Sequence, residues 1–182
     1  MRKILFVCHG NICRSVMAEF ILKNKTNEIY CESAATSNEE IGNDMYSLAK
    51  WCLDRHGIKY QRHIARRVNL DDYNRFDEIY VMDEYNMHNI LKILDDKDNK
   101  IHKLCSYDIE DPWYTGDFET VYNQINEAID KILDADFEIN PVVVNNDLIA
   151  CQNCKYKDIC FVKERDIEYL ETVENLDFLE VE

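Results

Sequence analysis

Glycine and proline are scarce in this sequence, since its 182 residues include 4 glycines and 2 prolines. Linkers of low complexity are rich in these residues, so we expect no such linker between parts of the chain. Long apolar runs are missing as well. We therefore predict no membrane-spanning segment, which needs about 20 consecutive apolar residues, and no secretory leader.

Positive charge is the second shortage. The chain has 21 lysines and arginines against 36 aspartates and glutamates, which gives a formal net charge of −15. Nucleic acids and anionic membranes bind basic surfaces, so we expect neither of them as the main partner. The same charge favours the approach of neutral or basic substrates over acidic ones.

Cysteine, in contrast, is abundant, with 8 residues. Five of them are scattered through the α/β pattern described below. One of these five, Cys8, lies in a loop whose chemistry, described next, needs a free thiol. Disulfides belong to oxidising compartments. We therefore expect a reducing, cytoplasmic location.

One stretch near the N-terminus carries the chemistry, and it reads Cys8-His9-Gly10-Asn11-Ile12-Cys13-Arg14-Ser15. A short apolar run precedes it and an apolar pattern at helical spacing follows it, which predicts a buried strand, a tight loop and a helix N-terminus. Free backbone N–H groups and the helix dipole make such a junction an anion site. These donors favour the thiolate form of Cys8, and Arg14 offers a planar fork for two phosphate oxygens.

This stretch resembles the phosphate loop of the low-molecular-weight protein tyrosine phosphatases, and the resemblance extends over residues 2–135. It implies that Cys8 is a nucleophile and that catalysis needs no cofactor. It also assigns phosphate binding to the loop residues His9, Gly10, Asn11, Ile12, Cys13, Arg14 and Ser15.

A second stretch resembles the same family, which carries Asp-Pro followed by aromatic residues and glycine where this chain has Asp111-Pro112-Trp113-Tyr114-Thr115-Gly116. Proline biases the residue before it towards extended backbone and stiffens the loop. The resemblance assigns Asp111 as the acid of catalysis. It also predicts a substrate wall made of Ile12, Glu39, Trp113 and Tyr114, where Glu39 departs from the aromatic residue that the family often has.

Three residues are predicted to support the loop from outside. In the family, a serine equivalent to Ser33 braces the asparagine of the phosphate loop; the alternative is a serine bonded to its own loop backbone. His56 either joins the hydrogen bonds of the loop or lies at the surface near a helix end. Asp83 is predicted as a helix N-cap first and as a brace of the site second.

The alternation of patterns predicts an α/β fold. Strands are expected at 4–7, 29–34, 76–83 and 101–104, and helices at 44–56, 84–95 and 118–133. The resemblance implies a doubly wound three-layer sandwich with a short, four-stranded parallel sheet of the low-molecular-weight phosphatase or flavodoxin-like type. We assign residues 1–136 to a phosphatase domain and residues 137–182 to an acidic, Cys-rich C-terminal extension.

The extension contains a Cys-x2-Cys-x5-Cys run formed by Cys151, Cys154 and Cys160. In a reducing compartment such spacing favours a metal over a disulfide, either structural zinc or an iron–sulfur cluster. Both usually need four ligands, and the extension supplies three thiols. Three unliganded thiols are the alternative.

The predicted function is hydrolysis of phosphotyrosine in a protein, or of a small aryl phosphate, through a phosphocysteine intermediate. Protein-arginine phosphatases and arsenate reductases share the fold and the Cys-x5-Arg loop. The related arginine enzymes carry Thr where this chain has Ile12, and the reductases need further cysteines, usually around the segment 80–93, which here has none. A binding protein that works through its Cys-rich extension is the third alternative.

Overall fold

The computed structural model of the chain describes residues 1–134, together with the backbone of two short strands at 143–144 and 147–148. Its contacts divide the chain into two units, Met1–Ile132 and Leu133–Glu182. Of the second unit, the description covers the antiparallel pair β5 (Val143–Val144) and β6 (Asp147–Leu148). The boundary at residue 136 between a catalytic domain and an extension stays a prediction.

The first unit alternates strands and helices. Its four strands are β1 (Lys3–Cys8), β2 (Tyr30–Ala35), β3 (Glu78–Val81) and β4 (Ile101–Lys103). Its six helices are α1 (Arg14–Lys25), α2 (Ser47–Arg55), α3 (Leu70–Arg75), α4 (Glu84–Ile90), α5 (Pro112–Thr115) and α6 (Phe118–Asp134), the last of which ends just beyond the unit. The strands form a parallel sheet in the order β2-β1-β3-β4, which confirms the predicted α/β fold.

The sheet is covered on both faces, as a parallel sheet requires. Successive side chains of β1 point to opposite faces, and all four from Ile4 to Val7 are fully buried. On one face, Leu5 and Val7 join a core to which α3 contributes Tyr73 and α4 contributes Ile90. On the other face, Phe6 stacks on Tyr80 with ring centroids 6.2 Å apart. A continuous apolar run therefore sufficed to predict this central strand.

The sheet order places the candidate site. In an open parallel sheet, ligands bind beyond the carboxyl ends of the strands where the order reverses. Here that point lies between β1 and β3, because β2 lies on one side of β1 while β3 and β4 follow on the other. Cys8 ends β1, and Asp83 comes two residues after the end of β3.

Three helices differ from the sequence-based prediction, and two of them, α3 and α5, have no predicted counterpart. The apolar pattern at 84–95 predicted a longer α4, but the helix ends at Ile90, and the Ile93 N–H bonds to the Ile90 carbonyl at 2.9 Å in a tighter turn. Such tightening is common at helix ends. In the segment after β4, where no helix was predicted, Pro112 lies in the first turn of the one-turn helix α5. A backbone N–H at that position would have no partner within the helix, so its absence in proline costs nothing.

No helix in the described part of the chain combines the length and apolar character needed to cross a membrane.

Candidate active site

The loop between β1 and α1 curls around the Cys8 thiol. The backbone N–H of Asn11 points at Cys8 Sγ at 3.3 Å, and the Ser15 hydroxyl lies 3.1 Å from the same sulfur. Cys8 is buried, with 3% of its surface exposed. The sulfur thus accepts a hydrogen bond from the loop backbone and lies within hydrogen-bond reach of a hydroxyl.

Asn11 holds the loop in a conformation that most residues avoid. Its φ is 59°, in the left-handed region that asparagine tolerates better than most other side chains. Its side-chain amide donates to Ser15 Oγ at 2.9 Å and to Ser33 Oγ at 2.8 Å. Ser33 in turn donates to the buried carboxylate of Glu19 at 2.5 Å. The structure therefore places Ser33 where the sequence predicted a brace.

The side chains of Asn11 and Ser15 do not line the cleft. Both residues are fully buried, and their polar atoms bond to each other, to Ser33 and to Cys8. These two side chains, which the sequence predicted to bind phosphate, therefore lie behind the loop and fix its shape.

A histidine that the sequence reading missed completes this network. His63 is buried, and its Nε2 lies 2.9 Å from the Asn11 carbonyl and 3.1 Å from Asn11 Oδ1. Both partners are acceptors, so Nε2 carries the proton and donates it. Burial, the largest influence, lowers the pKa of His63 below its ordinary value, although Glu19 opposes the shift.

The predicted brace His56 lies elsewhere. It caps the C-terminus of α2, its Nε2 contacts Glu119 Oε1 at 2.6 Å, and its ring stacks on Tyr122. Since the His56 side chain points towards α6, the prediction that it joins the hydrogen bonds of the phosphate loop is wrong. His63 occupies that place from the irregular segment between α2 and α3.

Arg14 lies at the centre of the charged groups. Its side chain is 2% exposed. Its Nη1 donates to Asp83 Oδ2 and, at 2.9 Å, to the carbonyl of Ile109, and its Nη2 donates to Asp111 Oδ2 at 2.6 Å. Burial works to lower the pKa of this guanidinium, but Cys8, Asp111 and Asp83 together raise it above its ordinary value. The Nε of Arg14 has no hydrogen-bond partner among the described residues, so one donor on the Nε–Nη2 edge remains for an oxyanion.

Asp83 and Asp111 have the same double function. Each carboxylate uses one oxygen to cap a helix: Asp83 Oδ1 accepts from the Asn86 N–H at 2.6 Å, and Asp111 Oδ1 accepts from the Trp113 N–H at 3.1 Å. The other oxygen of each accepts from Arg14. The caps fix the two carboxylates, and the carboxylates fix the guanidinium over the loop.

A cleft opens above Cys8 and collects most of the predicted site residues. Eleven residues line it: Cys8, His9, Gly10, Ile12, Cys13, Arg14, Glu39, Glu40, Asp111, Trp113 and Tyr114. All four residues predicted to form a substrate wall line this one cleft, and two of them, Trp113 and Tyr114, are exposed. Tyr46, which the sequence reading missed, supports Trp113 at a ring-centroid distance of 4.9 Å.

The departure at Glu39 gives this cleft an acidic edge. Glu39 Oε2 contacts His9 Nε2 at 3.0 Å, and Glu40 lines the cleft beside it. A β-carbon added at Gly10 would lie 3.1 Å from Glu40 Cγ. The absence of a side chain at Gly10 therefore lets the acidic segment pack closely against the loop.

Cys13 also faces the cleft, and its chemistry differs from that of Cys8. Burial first, and then the nearby Cys8 and Asp111, raise the pKa of the Cys13 thiol well above its ordinary value. Cys13 therefore remains a neutral thiol. The candidate metal ligands Cys151, Cys154 and Cys160 lie outside the described residues.

Comparisons with known proteins agree with this geometry. Residues 3–140 match the profile of the family described as low molecular weight phosphotyrosine protein phosphatase. The chain is 41% identical over 141 residues to the enzyme of that name from Gallus gallus, covering 68% of this chain and 89% of the relative. It is 42% identical over 144 residues to the enzyme from Homo sapiens, covering 68% and 88%.

A solved structure gives the same result. The crystal structure of the low molecular weight protein tyrosine phosphatase from Streptococcus pyogenes superposes with a TM-score of 0.72 at 36% identity. The match covers 74% of this chain and 93% of that one. The shared region is the part of the chain that contains the cleft.

Proposed function

Since the chain belongs to the low molecular weight phosphotyrosine protein phosphatase family, it is a protein-tyrosine-phosphatase, and we propose that Cys8, Arg14 and Asp111 carry its chemistry. One observation carries this assignment. A buried thiol, a guanidinium and a carboxylate converge on one cleft although their residues lie up to 103 positions apart in the sequence. The family's reaction needs no cofactor.

In the first step, the Cys8 thiolate attacks the phosphorus atom. A sulfur–phosphorus bond forms, the bond from phosphorus to the phenolic oxygen breaks, and a phosphocysteine results. Arg14 and the backbone N–H groups of the loop bind the remaining phosphate oxygens, where they stabilise the charge that moves during transfer. The free Nε and the shared Nη2 of Arg14 form the edge that faces the phosphate.

Asp111 handles the protons of both steps. It gives a proton to the leaving phenolate, and it then takes one from the water that hydrolyses the phosphocysteine, so that thiolate and inorganic phosphate are released. Its Oδ2 pairs with Arg14 Nη2 in the structure. An incoming phosphate takes over this donor and frees the oxygen for the leaving group.

The substrate is an aryl phosphate, either phosphotyrosine in a protein or a small aryl ester. Trp113 offers a flat, half-exposed face to the ring, and Tyr46 fixes that face from behind. Ile12 adds an apolar side chain to the lining of the cleft. The Glu39–Glu40 edge disfavours acidic flanking residues, in line with the overall net charge.

We also propose that the protein acts in the cytoplasm. Its chemistry depends on a free thiol at Cys8, and the five cysteines in the described part of the chain, Cys8, Cys13, Cys31, Cys52 and Cys105, are all free. Thiols stay reduced in that compartment.

Residues 137–182 are proposed to be an accessory segment outside the catalytic domain. The relatives are matched over about two thirds of this chain, while the match covers nearly nine tenths of their own length. The described residues that line the cleft all fall between Cys8 and Tyr114. The three cysteines Cys151, Cys154 and Cys160 remain candidates for structural zinc or an iron–sulfur cluster.

A side-by-side assay tests the proposed substrate. The purified chain is offered phosphotyrosine, phosphoarginine and arsenate with a thiol reductant, and phosphate or arsenite is measured. We expect turnover of phosphotyrosine to exceed the other two by a wide margin. Preferred turnover of phosphoarginine, or reduction of arsenate, would assign the cleft to the corresponding rival chemistry.

A further inference from the structure

Away from the cleft, three side chains of metal-binding type meet between α2 and α6. They are Cys52 on α2, His56 at the C-cap of α2 and Glu119 on α6. One donor atom from each lies within 4.8 Å of the other two. None of the three lines the catalytic cleft, and the proposed phosphatase chemistry uses none of them.

The two helices place these donors on facing sides. Cys52 and His56 are four residues apart, so they lie on the same side of α2 about one turn from each other. Glu119 belongs to the first turn of α6. Its Oε1 contacts His56 Nε2 at 2.6 Å, and its Oε2 lies 4.0 Å from Cys52 Sγ. The carboxylate thus presents one oxygen to each donor of the other helix.

Neighbouring groups hold the donors in position. The His56 ring stacks on Tyr122 with centroids 3.6 Å apart and planes tilted by 13°, which fixes the direction of Nε2. Cys52 is fully buried, and its thiol donates to the Phe118 carbonyl at 3.4 Å. Glu119 is part-exposed, so a metal ion can enter from that side.

We infer that Cys52, His56 and Glu119 form a Zn²⁺ site with three protein ligands and a fourth position open to solvent. Thiolate, imidazole and carboxylate are the ligands that zinc accepts in proteins. A thiolate and a carboxylate together neutralise the charge of the ion. With metal–ligand distances of about 2.0–2.3 Å, tetrahedral donors are about 3.5 Å apart. The His56–Glu119 contact at 2.6 Å would have to widen, and Cys52 would have to approach, each by a side-chain shift of roughly 1 Å.

Zinc displaces protons from the side chains that bind it. Burial, followed by Glu119, raises the pKa of Cys52 to about 11, so this side chain is a thiol until the ion displaces its proton. His56 must offer an unprotonated Nε2, which means that its proton moves to Nδ1 or leaves. Arg55, whose Nη1 lies 3.8 Å from Glu119 Oε2, is exposed and stacks on Trp51, so it can turn away from the ion.

The consequence is a link between distant parts of the chain. His56 and Glu119 are 63 residues apart, and two residues separate α6 from α5, which follows Asp111. An ion that binds the folded chain and not the unfolded one raises the free energy of unfolding. The site therefore clamps α2 to the start of α6 without taking part in phosphate transfer.

Metal counting on the full chain tests this site. The parent protein carries Cys8→Ser, so that the nucleophile contributes no ligand, and variants add His56→Asn, Glu119→Gln or Cys52→Ser. Zinc bound per chain is measured by equilibrium dialysis with elemental analysis, and affinity by competition with a chelator. Cys31→Ser is the matched control, because Cys31 is another buried thiol that donates to a backbone carbonyl, that of Glu19.

We expect each cluster variant to lose one Zn²⁺ per chain, or to bind it at least ~10²-fold more weakly. Removing a residue that only hydrogen-bonds to a metal ligand already weakens binding by up to about 10²-fold, and removing a ligand itself should cost at least as much. Zinc should raise the Tm of the parent and of Cys31→Ser by the same amount, and less in the cluster variants. Thiols of the extension contribute equally to all proteins and cancel in the comparison. The inference is overturned if His56→Asn and Glu119→Gln bind zinc as the parent does, or if Cys31→Ser loses the same equivalent.

Discussion

Arg14 and Asp111 form an ion pair at the floor of the cleft, with Nη2 and Oδ2 2.6 Å apart. The Arg14 side chain is 2% exposed and that of Asp111 is 23% exposed. The guanidinium that we propose to bind phosphate and the carboxylate that we propose to supply the proton are therefore hydrogen-bonded to each other in the structure. A phosphate that takes over Nη2 would release Asp111 Oδ2 from this pair and leave it free to face the leaving group.

The nucleophile is tested by Cys8→Ser. Turnover of p-nitrophenyl phosphate should fall below detection, because a serine hydroxyl is not ionised at neutral pH and cannot replace the thiolate. Binding of inorganic phosphate, measured by calorimetry, should persist, since Arg14 and the loop N–H groups remain. Cys31→Ser serves as the matched control with normal turnover. Appreciable hydrolysis by Cys8→Ser would sink the assignment.

The proton donor is tested by Asp111→Asn. Hydrolysis of phosphotyrosine should slow by ~10²–10⁴-fold, the usual contribution of a placed general acid. The loss should shrink along a series of aryl phosphates whose leaving groups have lower pKa values, because these leave without a proton. Glu110→Gln, at the exposed neighbouring position, is the control. Equal losses across the series would show that Asp111 has a different task.

The guanidinium fork is tested by Arg14→Lys. An ammonium keeps the charge but loses the planar donors that reach Asp83, Asp111 and the phosphate together. We expect kcat on an aryl phosphate to fall by ~10²-fold or more, as for the loss of a transition-state donor. The exposed Arg62→Lys is the control. A variant that retains most of its kcat would mean that charge alone suffices at this position.

His63 gives the stability of the protein a pH dependence. Its pKa is lowered in the folded state from the ordinary value of 6.5, so the unfolded chain takes up the proton first as the pH falls. The stability that His63 contributes is therefore present above pH 6.5 and is lost as the pH falls below it. Urea unfolding at pH 7.5 and at pH 5.5 measures the difference.

The matched variant is His63→Gln, which keeps a donor for Asn11 but does not titrate. Its free energy of unfolding should change less between the two pH values than that of the natural chain. His88→Gln, at an exposed site on α4, should leave the natural pH dependence unaltered. Identical pH profiles for His63→Gln and the natural chain would refute the assignment.

The extension is tested by a chain that ends at residue 136. Since the proposed chemistry uses Cys8, Arg14 and Asp111, which all lie before residue 136, kcat on p-nitrophenyl phosphate should be nearly unchanged. Metal analysis of both chains, purified without oxygen, shows whether residues 137–182 bind zinc or iron. A truncated protein that folds but loses its activity would show that the extension helps to build the site, and the predicted division of the chain would be wrong.

Sequence alone identified the family and the α/β fold, and the comparisons confirm both. The reason is that these features are local. The apolar run before Cys8 predicts a buried strand without knowledge of its neighbours, and the spacing from Cys8 to Arg14 is what one loop needs to surround a phosphate. Asp111 followed by Pro112 is recognisable in the same way, because a dipeptide fixes the backbone of its own loop.

Tertiary structure decided the supports of the site. Nothing in the sequence distinguished His63 from His56, because the contact between His63 and Asn11 joins residues 52 positions apart, and the sheet order and the path of an irregular segment determine it. Tertiary packing likewise determines the contact of Tyr46 with Trp113. It also determines that Asp83 and Asp111 both accept hydrogen bonds from Arg14. Local patterns report which residues are buried, whereas only the packed chain determines which buried polar groups meet.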